Sequence, residues 1–139
     1  MFLSIRRGLL AGALFALAGC SGMSMPQGGV KLSGDQEVPP VTTSATGTAN
    51  VTVAADGAVS GNITTSGLDV TMAHIHIGAA GKNGPVIVPL SETGDGVWSI
   101  APGAKLTPEQ LKAYQAGELY VNVHTVANKG GEIRAQLKP

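Results

Sequence analysis

The three histidines of this chain lie in two short stretches of alternating polar and apolar residues. His74 and His76 occur in M-A-H-I-H-I-G (72–78), and His124 occurs in L-Y-V-N-V-H-T (119–125). Because a β-strand sends alternate side chains to opposite faces, an H-x-H pair directs both imidazoles to the same side. If the two stretches are neighbours in one sheet, three imidazoles converge, and such a set suits zinc, copper or iron.

Three further polar residues alternate onto the same predicted face, where we expect them to contact the imidazoles or to act as further ligands: Asn122, Glu132 and Arg134. The carboxylate of Glu132 is expected either to orient an imidazole or to act as a fourth ligand. Arg134 is expected to pair with Glu132 or to attract an anion. The competing hypothesis is that all these side chains form a hydrogen-bond network with a purely structural role. No residue is assigned as catalytic, because the chain has no G-x-S-x-G elbow and no phosphate-binding loop of the Walker type.

The elements that must position these residues are short strands separated by turns. Period-two alternation predicts strands over 48–54, 59–64, 70–77, 85–90, 96–100, 119–125 and 132–137. One helix is predicted after Thr107, where a capping threonine precedes Pro108 and Gln110, and Gly117 ends it. This spacing favours an all-β fold, an antiparallel Greek-key-like β-sandwich of seven to eight strands with one short helix.

Alternation also assigns the two faces of the predicted strands. Ile75 and Val123 represent the aliphatic sets, which should fill the interior between the layers. The histidines and their polar neighbours then lie on the outer face, or in a groove that a loop covers.

The N-terminal segment has the pattern of a secretory signal. Arg6 and Arg7 precede an apolar run over 8–18 that is too short to span a bilayer comfortably. The following L-A-G-C, ending at Cys20, resembles the lipobox of bacterial lipoproteins, in which cleavage precedes a cysteine that is then acylated. We therefore expect a signal peptide over 1–19, a flexible tether over 20–29 and one domain over 30–139. The resemblance implies a lipid-anchored protein of the cell envelope, and Ser21 after the cysteine favours the outer membrane.

Charge and cysteine content narrow the choice of partners. Removing residues 1–19 takes away two of the nine basic residues and none of the nine acidic ones. The remaining chain is slightly acidic, which argues against a nucleic-acid partner, since phosphate binding needs a basic face. With Cys20 as the only cysteine, no internal disulfide can form.

Several motifs together resemble one domain family. L-S-G-D-Q-E-V-P-P (32–40), A-H-I-H (73–76) with G-P-V (84–86), Y-V-N-V-H-T (120–125) and G-E-I-R-A-Q-L (131–137) occur in the order found in CHRD (chordin-type) domains. The usual glycine after the arginine is Ala135 here. The resemblance implies an extracytoplasmic β-sandwich module, found alone in bacterial secreted proteins and repeated in animal chordins. It implies no biochemical activity.

A fainter resemblance connects the histidines to copper–zinc superoxide dismutases, which also carry an H-x-H pair on an outer strand and another ligand near the C-terminus. His74, His76 and His124 are the matching positions. The chain departs from that pattern by having no disulfide pair and no further histidine. The favoured hypothesis is thus a non-enzymatic, membrane-tethered binding module that holds copper or zinc. The alternatives are a copper enzyme of the dismutase type and a purely structural envelope or adhesion domain.

Overall fold

The computed structural model describes residues 29–139, so the predicted signal peptide, Cys20 and the tether up to residue 28 lie outside the described residues. Eight strands and one α-helix make up this part of the chain. The strands are β1 (Val30–Leu32), β2 (Thr46–Val53), β3 (Val59–Ser66), β4 (Val70–Ile77), β5 (Val86–Gly94), β6 (Val97–Ile100), β7 (Leu119–Thr125) and β8 (Ile133–Gln136). The helix α1 spans Pro108–Gln115, and a single 3-10 turn spans Gly34–Gln36. Among these residues, no helix is long and apolar enough to cross a membrane.

All eight strands belong to one antiparallel sheet with the order β1-β2-β3-β6-β5-β4-β7-β8. β4, β5 and β6 follow one another as hairpins, and β3 lies beside β6, which is a Greek-key arrangement. The two ends of the sheet meet, because Ser33 and Arg134 exchange two backbone hydrogen bonds of 3.1 Å. The all-β prediction is confirmed, and the two layers of the sandwich are parts of one sheet that nearly closes into a barrel.

The core lies inside this closed sheet, as the alternation predicts. Ile63, Ile75, Val121 and Val123 have no exposed surface, and the other strands contribute further aliphatic side chains. Burial of such side chains provides the main driving force for folding, about 25 cal/mol per Å² of apolar surface. The face of each strand that points away from this core is therefore the face available for chemistry.

The helix begins as its sequence predicts. The hydroxyl of Thr107 accepts from the backbone N–H of Gln110 at 3.2 Å, and the side chain of Gln110 accepts from the N–H of Thr107 at 2.9 Å. This reciprocal capping satisfies two of the N–H groups that a helix start leaves free. Gly117 has φ of +76°, which allows the chain to reverse into β7.

Several strand boundaries differ from the prediction, and the short strand β1 was not predicted. β2 begins at Thr46 and β5 continues to Gly94. The extension of β5 arises because Asp95 and Gly96 form a tight turn, in which Gly96 has φ of +66°, and the hairpin keeps its pairing up to that turn.

Candidate functional site

The register between β4 and β7 brings the three histidines together. The two strands are adjacent, and Met72 lies opposite His124, His74 opposite Asn122, and His76 opposite Tyr120. His74 and His76 thus follow each other along one strand, while His124 is the diagonal neighbour of His74. All three imidazoles lie on the side away from the core, as the sequence predicts.

Most of that side of the sheet is covered, and the exception is its edge at Met72, which is 48 % exposed. The polar side of β4, β7 and β8, here called the covered face, lies under three connecting segments: 33–41, 78–84 and 126–131. His76 is 8 % exposed and His124 is 7 % exposed, while His74 is half-buried. Of the two placements expected from the sequence, the groove beneath loops is therefore the one that is found.

The ring nitrogens of the three histidines form a compact group. One nitrogen from each ring can be chosen so that all three lie within 4.8 Å of one another. His74 Nδ1 and His124 Nε2 are 3.1 Å apart. The ring centroids are separated by 5.0 Å for His74 and His124 and by 5.5 Å for His74 and His76. The three rings therefore surround a common point.

Backbone carbonyls fix the tautomers of two of these rings. His76 Nδ1 lies 2.9 Å from the carbonyl oxygen of Gly84, and His124 Nδ1 lies 2.9 Å from that of Lys129. Because a carbonyl oxygen only accepts, each Nδ1 must carry the hydrogen. The Nε2 atom of each neutral ring then has a free lone pair. A metal-binding histidine characteristically donates its second nitrogen in this way.

The Nε2 atoms of His124 and His76 differ in their contacts. His124 Nε2 accepts from His74 Nδ1 at 3.1 Å. His76 Nε2 is buried and has no hydrogen-bond partner among residues 29–139. A buried polar atom without a partner costs about 1–3 kcal/mol. The site therefore holds an unsatisfied nitrogen acceptor beside two other imidazoles.

His74 and His76 are kept neutral by their surroundings. Burial lowers the pKa of His74, and the neighbouring His124 and His76 lower it further. Burial also lowers the pKa of His76, against the smaller raising effect of its hydrogen bond to Gly84. A lowered pKa means that the ring holds its proton less tightly, so the neutral form, which binds metals, predominates at neutral pH.

A stack of planar groups holds His76 in place. Its ring lies parallel to that of Tyr120, with 6° between the planes and 4.8 Å between the centroids. The guanidinium of Arg134 lies over the Tyr120 ring, with Cζ 3.5 Å from its centroid. Because β7 lies between β4 and β8, His76 and Arg134 flank the tyrosine ring from opposite sides. The orientation of His76 is thus determined by packing as well as by hydrogen bonding.

Glycine at position 84 is required for this arrangement. A Cβ atom there would overlap the backbone carbonyl of Ile77, which ends β4. Gly84 also uses both of its backbone polar groups in the site: its N–H donates to the hydroxyl of Tyr120 at 3.0 Å, and its carbonyl accepts from His76. The close approach of the 78–84 segment to β4 therefore depends on the absence of a side chain.

Asn122, predicted as a neighbour of the histidines, has a different partner. Its side-chain N–H group donates to both carboxylate oxygens of Glu37, each at 3.1 Å. Both residues are buried, and burial raises the pKa of Glu37 to about 7. The amide thus anchors the 33–41 segment onto β7, and its contact with an imidazole, expected from the sequence, is replaced by one with a carboxyl group.

Glu132 and Arg134 also depart from their expected roles. The carboxylate of Glu132 accepts from the hydroxyls of Thr43 and Thr125 at 2.8 and 2.6 Å, and these bonds, Thr125 first, lower its pKa. Glu132 lies just before β8, and its carboxylate is directed toward the end of β7 and the segment that precedes β2. The role of orienting imidazoles, expected of Glu132, belongs instead to the carbonyls of Gly84 and Lys129.

Arg134 stabilises a loop in place of pairing with Glu132. Its guanidinium donates to Asn83 Oδ1 at 3.3 Å, to the carbonyl of Ala79 at 3.1 Å and to Gln136 Oε1 at 2.8 Å. Within the described part of the chain, none of its hydrogen bonds goes to Glu132. With 1 % of its surface exposed, it is not accessible to an anion from solvent, because the 78–84 segment covers it.

Sequence reasoning missed Glu37 and Tyr120 as parts of this region. Glu37 is far from the histidines in sequence, and only its position in an E-V-P-P motif sets it apart from other acidic residues. Tyr120 does alternate onto the same face as His124, and this signal could have identified it. The carbonyls that orient His76 and His124 belong to the backbone, so the pattern of side chains cannot identify them.

Comparison with known proteins identifies the family of the chain. A family model described as "CHRD domain" matches residues 29–137. No curated protein and no solved structure matches the chain at a significant level. The matched segment includes every strand of the described residues and all three histidines, so the chain belongs to the CHRD domain family.

Proposed function

We propose that this CHRD domain is a non-enzymatic module of the cell envelope that binds one copper or zinc ion through His74, His76 and His124. The observation that carries the proposal is the arrangement of their nitrogens, all within 4.8 Å of one another. The buried, unpartnered His76 Nε2 supports it, because a bound cation supplies the partner that this atom lacks.

The spacing of the nitrogens fits a shared ion after small ring movements. Metal–nitrogen bonds to zinc are about 2.0–2.1 Å long, so two ligands in a tetrahedral set lie about 3.4 Å apart. The 3.1 Å between His74 Nδ1 and His124 Nε2 is close to this value. An ion there replaces the hydrogen bond between these atoms, and the proton of His74 moves to its Nε2.

The chemical class of the ion follows from the donors. Neutral imidazoles suit copper and zinc, whereas magnesium and calcium prefer carboxylate and carbonyl oxygens. The nearby carboxylates, Glu37 and Glu132, are held by other partners. A dismutase-like copper enzyme and a purely structural network are kept as outcomes of the experiment.

The experiment is a metal titration followed by thermal unfolding. With Zn(II) or Cu(II) at about 100 times the dissociation constant, binding to the folded state should add about 2.7 kcal/mol to the unfolding free energy. His74→Ala and His76→Ala should each abolish most of this gain. Thr64→Ala, an exposed position on β3, is the matched control and should retain it.

Three results would distinguish the hypotheses. Melting temperatures that no metal changes would contradict the metal site and favour a purely structural role for the histidines. A metal-dependent shift that persists in both histidine variants would place the site elsewhere. Superoxide disproportionation by the copper-loaded protein, lost in His76→Ala, would favour the enzyme over the binding module.

We further propose that the protein is anchored to the envelope through Cys20, and that the membrane is its partner there. The support is the sequence alone: two arginines, an apolar run and an L-A-G-C motif. Stable anchoring by acyl chains requires more than one chain, which the modified cysteine of a lipoprotein carries. Fractionation tests this: wild-type protein should sediment with membranes, and Cys20→Ser should not. Equal sedimentation of the two would contradict the anchor.

A further inference from the structure

Met72 lies beside the site, and packing of the fold does not explain why this apolar side chain is exposed. It lies on β4 with 48 % of its surface exposed, one of few large apolar side chains so exposed among the described residues. It is also the only one of the four methionines that falls within residues 29–139. Such a residue would normally pack into the core, on the side that Ala73 and Ile75 occupy.

The register places Met72 next to two of the three histidines. It lies directly opposite His124 across the β4–β7 ladder, where facing Cβ atoms are about 4.5–5.5 Å apart. It precedes His74 by two residues on the same strand, and hence on the same face. Three rotatable bonds give its thioether a wide reach. Met72 thus lies at the edge of the cluster that is nearest to half-buried His74.

We propose that Met72 provides a fourth, thioether ligand, and that the ion this site selects is Cu(I). This inference rests on the proposed metal site and specifies its ion. A thioether is a soft donor that favours Cu(I). Three neutral imidazoles and one thioether carry no charge, and this suits a monovalent ion in a partly buried site.

The surroundings of the cluster support a soft donor set. Two carboxyl groups on the covered face already have partners: Glu37 is bonded to Asn122, and Glu132 to two threonines. Neither contributes a hard oxygen ligand in this arrangement. At the solvent-exposed edge of the cluster, the strand register places one further donor, the thioether of Met72.

The test measures Cu(I) affinity without oxygen, by competition with a chromophoric Cu(I) chelator. Met72→Leu preserves the size and apolar character of this exposed side chain and should not affect folding. We expect it to lower the Cu(I) affinity at least about tenfold, a change of about 1.4 kcal/mol. Its Zn(II) affinity should change less than about twofold. X-ray absorption should show a sulfur ligand on Cu(I) in the wild type and only nitrogen ligands in Met72→Leu.

The control is the double variant Met23→Leu/Met25→Leu, which removes the other two methionines downstream of the predicted signal and should bind Cu(I) like the wild type. Unchanged Cu(I) affinity in Met72→Leu, with affinity lost in His76→Ala, would overturn the thioether ligand and leave the three-histidine site standing. Failure of the wild type to bind any metal would overturn both. Loss of affinity only in the double variant would assign the sulfur to the segment before residue 29.

Discussion

β7 and β2 have similar sequence patterns and very different environments. Both alternate polar and apolar residues over seven or eight positions. In β2 the polar residues Thr46, Asn50 and Thr52 are exposed, whereas every residue of β7 is buried. The difference lies outside the strands, in the three segments that fold over β7 and leave the polar side of β2 and β3, here called the open face, in water.

The comparison shows how covering a polar face creates a site. On the open face, water satisfies the hydroxyls and amides, and little fixes their orientation. On the covered face, each polar group must find a protein partner or remain unsatisfied. The histidines, Tyr120, Asn122 and Arg134 are consequently held in defined positions, and pre-positioned donors of this kind are what a metal site requires.

The largest effect should come from Arg134→Ala, which removes a buried guanidinium from the covered face. It deletes three side-chain hydrogen bonds to the 78–84 segment and β8, together with the stack on Tyr120. We expect a loss of about 3–5 kcal/mol in unfolding free energy, measured by urea denaturation. Lys31→Ala, an exposed basic residue on β1 next to the open face, is the control and should cost under about 0.5 kcal/mol. Similar losses of unfolding free energy in Arg134→Ala and Lys31→Ala would contradict the claim that the covered face contributes more to stability than the open face.

The second effect concerns Glu37, the carboxyl group buried against Asn122. Burial raises its pKa from 4.5 to about 7, against the lowering effects of the Asn122 hydrogen bond and Arg134. The folded state therefore binds this proton more tightly than the unfolded state does. The contribution to stability is complete below about pH 4.5, is lost as the pH rises to about 7, and is absent above that value.

Glu37→Gln should remove this pH dependence. Relative to the variant, the wild type should lose on the order of 2 kcal/mol between pH 4.5 and pH 8. His74 and His76 contribute with the opposite sign, because their pKa values are lowered, but they are common to both proteins and cancel in the difference. Asp35→Asn, an exposed acid in the same segment, is the matched control. Parallel stability profiles for wild type and Glu37→Gln would show that the carboxyl group is not buried as described.

The smallest stability effect should come from Tyr120→Phe. Its hydroxyl accepts from the N–H of Gly84 at 3.0 Å and donates to the Gly84 carbonyl at 3.3 Å. Removing it should cost about 1 kcal/mol and, because that carbonyl also orients His76, lower metal affinity about tenfold. Tyr114→Phe removes a hydroxyl on α1 that donates to the Lys138 carbonyl at 3.0 Å and not to the segments that hold the histidines. Tyr114→Phe should leave metal affinity unchanged. Equal effects of the two variants on metal affinity would show that the Gly84 loop does not influence metal binding.

The sequence predicts the strands and their faces because period-two alternation reports burial on one side directly. It therefore places Ile75 and Val123 in the core and His74, His76 and His124 on the opposite side. The helix start at Thr107 is equally local, since the capping groups are three residues apart.

Long-range contacts explain what the sequence could not predict. That β7 is covered depends on Glu37 meeting Asn122 across 85 positions of the chain. The acceptors that fix His76 and His124 are backbone carbonyls, which every residue carries. The partner of Glu132 is equally hidden from the sequence pattern, because Thr43 is 89 positions away. Alternation assigns a side to each residue but does not identify its partner.

The most direct test of the central claim is long-range ¹H–¹⁵N NMR of the three imidazoles, before and after addition of one equivalent of Zn(II). Without metal, the Nδ1 atoms of His76 and His124 should each carry a proton, because each faces a backbone carbonyl oxygen. With Zn(II), one nitrogen of each of the three rings, Nε2 for His76 and His124, should show the shift of a metal-bound nitrogen. Protons on Nε2 of His76 and His124, or spectra that Zn(II) leaves unchanged, would contradict the metal site.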